Sequence, residues 1–245
     1  MYIQYRQIQC SRWAELIQSA KFHCGLANAA GAVTEFRLLN NGAPVIVGNP
    51  ADNGTGHHHM MQMLNSCSPG GATPLCRHIR EVTMQIQAME STLRANGHKA
   101  VLVICTDGES SDGNVSVALA ALKHLPVWVV LRLCTGEDKV VNYWNGIDSQ
   151  LELDMDILDD LVAEGQEIYQ HNKWFTYGEP LHRLREFGCC IKEVDLLDET
   201  KLTPDQIRDV CVILFGGRVD DYPHPQASAK DFLTAITAAN AKVSG

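Results

Sequence analysis

Ala100-Val101-Leu102-Val103-Ile104-Cys105-Thr106-Asp107-Gly108-Glu109-Ser110-Ser111-Asp112-Gly113 decides the fold. Ala100 to Cys105 run apolar without polar alternation between His98-Lys99 and the Asp-Gly step, the pattern of a parallel strand covered by helices on both faces. Asp107 then falls at the carboxyl end of that strand, where open α/β sheets bind their ligands. Downstream, the pattern predicts a helix from about Asp112 to His124, with Asp112 as its cap, and a strand over Val127 to Leu133. The connection has the length and character of a right-handed βαβ crossover. Upstream, Leu75, Ile79, Val82, Ile86, Met89 and Leu93 alternate spacings of four and three, a helix opened by the Thr73 hydroxyl and Pro74 and closed by Asn96-Gly97.

Further out, Trp13, Leu16, Ile17, Ala20 and Cys24 give an amphipathic helix from about Ser11 to Ala30. Val33 to Leu39 reads as a strand, Asn40-Asn41-Gly42 as a turn, and Pro44 to Val47 as an edge strand. A loop from Gly48 to Gly56 precedes a short helix from His57 to Asn65, and helices near Asp138 to Trp144 and Met155 to Tyr169 continue the alternation. This cadence predicts an α/β fold, a doubly wound, mostly parallel sheet flanked by helices, over residues 1–188. Residues 189–245 read as a mainly helical extension. In it Cys190 to Leu197 is a last strand or a connector, Thr203-Pro204-Asp205-Gln206 is a capping box opening a helix through Leu214, Asp221 to Pro225 is a linker, and Phe232, Ile236 and Ala239 mark a terminal helix.

Composition narrows the function classes. With 245 residues, 45% hydrophobic and 20% charged, the chain can bury one substantial core, and no apolar run approaches a membrane span. Nine cysteines without a Cys-x-x-Cys pair point to reduced thiols in a cytoplasmic protein. The net charge of -9 is local: Asp148, Glu152, Asp154, Asp156, Asp159, Asp160, Glu164 and Glu167 account for nearly all of it, which disfavours nucleic acid as a partner. Those acids read as the first turns of a helix with a wet outer face. His57-His58-His59 cannot close on one ion from a helix, because neighbouring residues diverge by about 100°. No nucleophile elbow, phosphate loop or dinucleotide fingerprint is present, so the usual α/β enzymes have no footing.

Taken in order, the helix carrying Arg12-Trp13, the segment Gly70-Gly71-Ala72-Thr73-Pro74-Leu75, and Val101 to Asp112 resemble the von Willebrand factor A domain. The resemblance implies a Rossmann-like fold, a non-enzymatic protein-interaction module, and a Mg²⁺-dependent adhesion site of hard oxygen ligands that recruits an acidic side chain of a protein partner. Thr73 and Asp107 match two of its ligands. Gly71, Gly108, Glu109, Ser110, Ser111 and Asp112 would form the partner-binding rim, with the loops Asn49–Gly56, Ser68–Thr73 and Asp107–Gly113 as the face. The family's Asp-x-Ser-x-Ser motif should precede Arg12-Trp13, where the chain reads Met1 to Ser11 without an aspartate. The resemblance therefore implies a partial site, weak or vestigial, and an N-terminally incomplete domain, with Met1 to Tyr5 as a shortened surrogate strand the other reading.

Two other classes compete. Asp107-Gly108-Glu109 could serve as nucleophile and acid/base pair of a Mg²⁺-dependent haloacid-dehalogenase-like phosphatase, although Glu replaces the expected Asp and the strand is interior. A degenerate scaffold that binds nothing in its crevice and docks through its helical tail is the third.

Overall fold

The computed structural model describes residues 11–135, 137–151 and 153–243. The expectations placed on Met1 to Cys10, a surrogate strand among them, lie outside the described residues. The chain divides into two units. One runs to Asp160 and includes Glu186–Gly188; the other is Leu161–Arg185 with Cys189 onward.

The first unit is α/β. Strands β3 (Ala100–Thr106), β4 (Val127–Leu133) and β5 (Met155–Leu158) form a parallel sheet in that order. Ala100 lies opposite Val127, Thr106 opposite Leu133, and Val129 opposite Met155. Helices α3 (Leu75–Ala95), α4 (Val115–Ala120) and α5 (Asp138–Leu151) pack on it. Leu75, Cys76, Ile79 and Ile86 of α3 share one buried cluster with Ile104, Val129, Leu131 and Leu133 of the sheet and Trp144 of α5. Burying an aliphatic side chain of this kind stabilises by about 1.5–3 kcal/mol, so this cluster is what fixes the strand ends relative to α3.

Strands β1 (Thr34–Leu38) and β2 (Asn41–Val47) pair antiparallel as a separate two-stranded sheet. Val45 and Val47 are buried against Cys24 and Ala27 of α1 (Arg12–Ala30) and Met60 and Leu64 of α2 (Thr55–Ser66). Gly48 must be glycine: its φ is 80°, and a Cβ there would stand 2.4 Å from the Ala32 carbonyl oxygen. His57, His58 and His59 lie on α2 and diverge as the helical period requires, with His58 bonded to Gln62.

Several sequence expectations change. Met155 to Tyr169 is not one helix. Met155–Leu158 is the strand β5, and α6 (Leu161–His171) starts after Asp159-Asp160. Pairing with β4 overrides a spacing that also suited a helix. Asp156, expected on a wet face, is 7% exposed within β5, and Glu164 is buried on α6. α4 has six residues, and Asn114 caps it instead of Asp112.

The second unit is helical, with α6, α7 (Glu179–Glu186, whose last residue belongs to the first unit), α8 (Lys192–Glu199), α9 (Pro204–Phe215) and α10 (Ala229–Val243). Ile168, Tyr177, Leu181, Val194, Leu197, Leu202 and Val210 form its core. Cys190 to Leu197, expected as strand or connector, is largely α8: Val194 and Leu197, three residues apart, both face that core. The Thr203–Gln206 capping box is formed. Asp221 to Pro225 is no linker. Tyr222 is buried with Cys211 and Phe232, its hydroxyl donates to the Gly216 carbonyl at 2.9 Å, and its own carbonyl accepts from Arg208; the prolines mark a packed turn. Among the described residues no helix is long and apolar enough to cross a membrane, and all eight described cysteines are free.

Candidate functional site at the carboxyl ends of the parallel strands

Leaving β3, the Thr106 hydroxyl accepts from the Gly108 amide and donates to the Gly108 carbonyl, a local turn that lifts Asp107 off the strand. The next residues are fastened to the start of α3. The Ser111 amide donates to the Thr73 carbonyl and the Thr73 amide to the Ser111 hydroxyl, each at 2.9 Å. Asp112 accepts from the Cys76 and Arg77 amides, both at 2.9 Å, and from the Ser110 hydroxyl at 2.6 Å. From the other side, the Asn40 carboxamide donates to the carbonyls of Gly70 and Ala72. Gly71 sits against that carboxamide with φ of 90°, a conformation that favours glycine.

Thr73 and Asp107 thus belong to loops bonded together at one end of the sheet. Gly71, Gly108, Glu109, Ser110, Ser111 and Asp112 lie on the same two loops. Thr73 does not cap α3 with its hydroxyl; Asp112, arriving from across the fold, does so. A carboxylate is the better cap, because it satisfies two free amides and meets the positive end of the helix dipole.

Asp107 is 62% exposed on its side chain, and its Oδ2 stands 3.7 Å from Nη1 of Arg12. The same guanidinium donates to Glu137, just beyond β4, at 2.5 Å. The Glu137 hydrogen bond, joined by the charges of Glu137 and Asp107, raises the Arg12 pKa above its already high ordinary value. Glu109 pairs with Lys139 at 3.5 Å. Asp112 is held down to about 2, first by the Ser110 hydroxyl and then by the Arg77 and Cys76 amides.

These groups do not make a cage for Mg²⁺. A guanidinium stands beside Asp107, the Asp112 oxygens are spent on α3 and Ser110, and Ser111 already accepts from Thr73. A hard cation needs six or more oxygens directed at one point.

Two clusters escaped the sequence reading. In the first unit Arg132, 3% exposed near the end of β4, donates to Glu186 at 2.8 Å and also meets Glu15 of α1. Glu186, 1% exposed, accepts from Ser19 at 2.9 Å and lies 3.0 Å from His23 Nε2. Burial opposes the Arg132 charge, yet Glu186 and Glu15 override it and its pKa is raised. Beside it, burial pushes the Cys134 thiol up to about 11, the direction that disfavours the nucleophilic thiolate. The available signal was one arginine inside Val129-Val130-Leu131-Arg132-Leu133.

In the second unit Glu164, Glu167 and Asp198 bring carboxylate oxygens within 4.8 Å of one another. Arg185 pairs with Glu164 at 2.8 Å and Asp198 at 2.9 Å, so a guanidinium already answers two of those charges. Burial, and then Asp198, raise the Glu167 pKa. Neither family models, curated proteins nor solved structures match the chain.

Proposed function

We propose that the chain is a non-enzymatic protein-interaction module of the von Willebrand factor A type, whose partner-binding rim is the pair of loops Gly70–Thr73 and Asp107–Asp112. The observation that carries this reading is the Thr73–Ser111 exchange of hydrogen bonds, which holds two loops from distant parts of the chain as one surface. A preorganised rim loses little conformational entropy on binding. Thr73 and Asp107 belong to it as the remnant of a Mg²⁺ site, vestigial because Arg12 stands beside Asp107 and too few oxygens are directed at one point. Phosphoryl transfer to Asp107 gains no support, since the neighbouring cation, Arg12, is shared with Glu137.

The test compares proteins captured by the full chain with those captured by Asp107→Ala/Glu109→Ala and by Lys123→Ala/His124→Ala, a pair placed beyond α4 and outside both rim loops. Loss of the captured set with the rim pair alone supports the reading. Equal capture by all three, or turnover of a generic phosphomonoester that disappears in Asp107→Asn, overturns it.

A further inference from the structure

We infer that the rim receives a cationic side chain from a basic segment of the partner, and that Arg12 holds that side chain's place in the free protein. This rests on the reading of the rim as a binding face and supplies the chemistry of what it binds, in place of the acidic contact implied by the resemblance.

Two carboxylates from the ends of adjacent parallel strands converge on one guanidinium: Asp107 after β3 at 3.7 Å and Glu137 after β4 at 2.5 Å. A planar guanidinium with its fork of donors is the side chain best suited to join two carboxylates. The place is therefore already shaped for a cation. All three groups are well exposed, at 62% for Asp107, 61% for Glu137 and 47% for Arg12, and ion pairs so exposed add little to stability. An incoming arginine can replace Arg12 at small cost.

The surrounding charge selects the sign of the partner. Asp107, Glu109, Glu137 and Asp138 are exposed just beyond the ends of β3 and β4, against Arg12 and Lys139. Four acids face two bases there, and the whole chain carries -9. A negative face of this kind speeds encounter with a basic segment and repels an acidic one. Lys139, 87% exposed on Glu109, is a second pair of the same exchangeable sort.

The experiment is calorimetric titration of the full chain at low salt with the peptide Gly-Arg-Gly-Arg-Gly. Arg12→Ala should bind it roughly threefold to fivefold more tightly than the unaltered protein, because an internal competitor worth that much is gone. Asp107→Asn/Glu137→Gln should bind at least about tenfold more weakly, while Glu199→Gln/Asp231→Asn, which lowers the net charge equally from the second unit, should change nothing. If Arg12→Ala should misfold, Arg12→Gln keeps the length of the side chain and replaces it in the comparison.

Three results overturn the inference: no gain on removing Arg12, equal losses in the two charge-neutralised pairs, or Mg²⁺ binding to Arg12→Ala that excludes the peptide. An unresponsive peptide together with intact rim-dependent capture would sink this inference and leave the proposed function standing. Loss of rim-dependent capture would sink both.

Discussion

Asp107 and Asp112 lie in one loop, yet one faces water and the other is consumed by the fold. Asp112 binds two amides of α3 and the Ser110 hydroxyl, and these bonds hold its carboxyl near 2 against an ordinary 3.8. A depressed folded-state pKa contributes stability that is present above the unfolded value and is lost as pH falls through the folded one. Stability from Asp112 should therefore be complete at neutral pH and drain away between about pH 4 and about pH 2. Asp112→Asn should be less stable than the unaltered chain at pH 7, with the gap closing across that window in urea melts. A gap of constant size from pH 7 to pH 2 would mean that the charge contributes nothing. Local sequence assigned Asp112 to the following helix, because capping rules look a few residues ahead; the helix it caps begins 37 residues earlier, at Leu75, and only the packed core brings the two together.

At the scale of elements, β3 carries a mismatch between pattern and surroundings. Its sequence is apolar on both faces, as in an interior strand, yet among the described residues β4 is its one neighbour and Val101 and Val103 are exposed. Natural edge strands are usually blunted by lysine, proline or a bulge. From Ala100 to Thr106 there is none of these, and the register with β4 runs without a slip. Val103→Lys should reduce self-association at high protein concentration, read by light scattering, with little change in the melting temperature, since a lysine there can keep its ammonium in water. Unchanged scattering would show that this edge is not what associates. The strands β3 and β4 were legible as unbroken apolar runs, and the helix α3 because its period is long and clean. β5 was not: four residues with an aspartate in the middle read equally as a helix start, and only parallel pairing, with Asp156 opposite Val130, settles them. α8 escaped for a related reason, since eight residues offer barely two turns of period. Of the site, the two loops were legible as chemistry, but Arg12 was read only as part of a helix; its role depends on where α1 begins relative to the strand ends, which no local pattern encodes.

For the whole molecule, the acidic run from Asp148 to Glu167 looked like one solvated stretch, but it is split between the two units and partly buried in each. Asp148 has its pKa raised, by burial first and then by Asp156, in the first unit. Glu164 is paired with Arg185 in the second. Each unit has its own apolar core, so a lesion in one should leave the other's protection against hydrogen exchange intact. Asn172 offers the cleanest lesion. Fully buried, its carboxamide donates to the Leu197 and Thr200 carbonyls, both at 2.8 Å, and accepts from the Leu202 amide at 3.0 Å and the Trp174 indole at 3.2 Å. One side chain thus fastens the end of α6 to the end of α8 and the approach to α9. Asn172→Ala strands several buried polar groups, each worth about 1–3 kcal/mol when left unpaired, so a loss on the order of 3 kcal/mol is expected. Amides of α6, α8 and α9 should exchange faster by roughly two orders of magnitude, while those of β3 and β4 keep their rates. Were the β4 amides to quicken by the same factor, the two cores would open as a single cooperative body, and the division of the chain would be one of packing without independent stability.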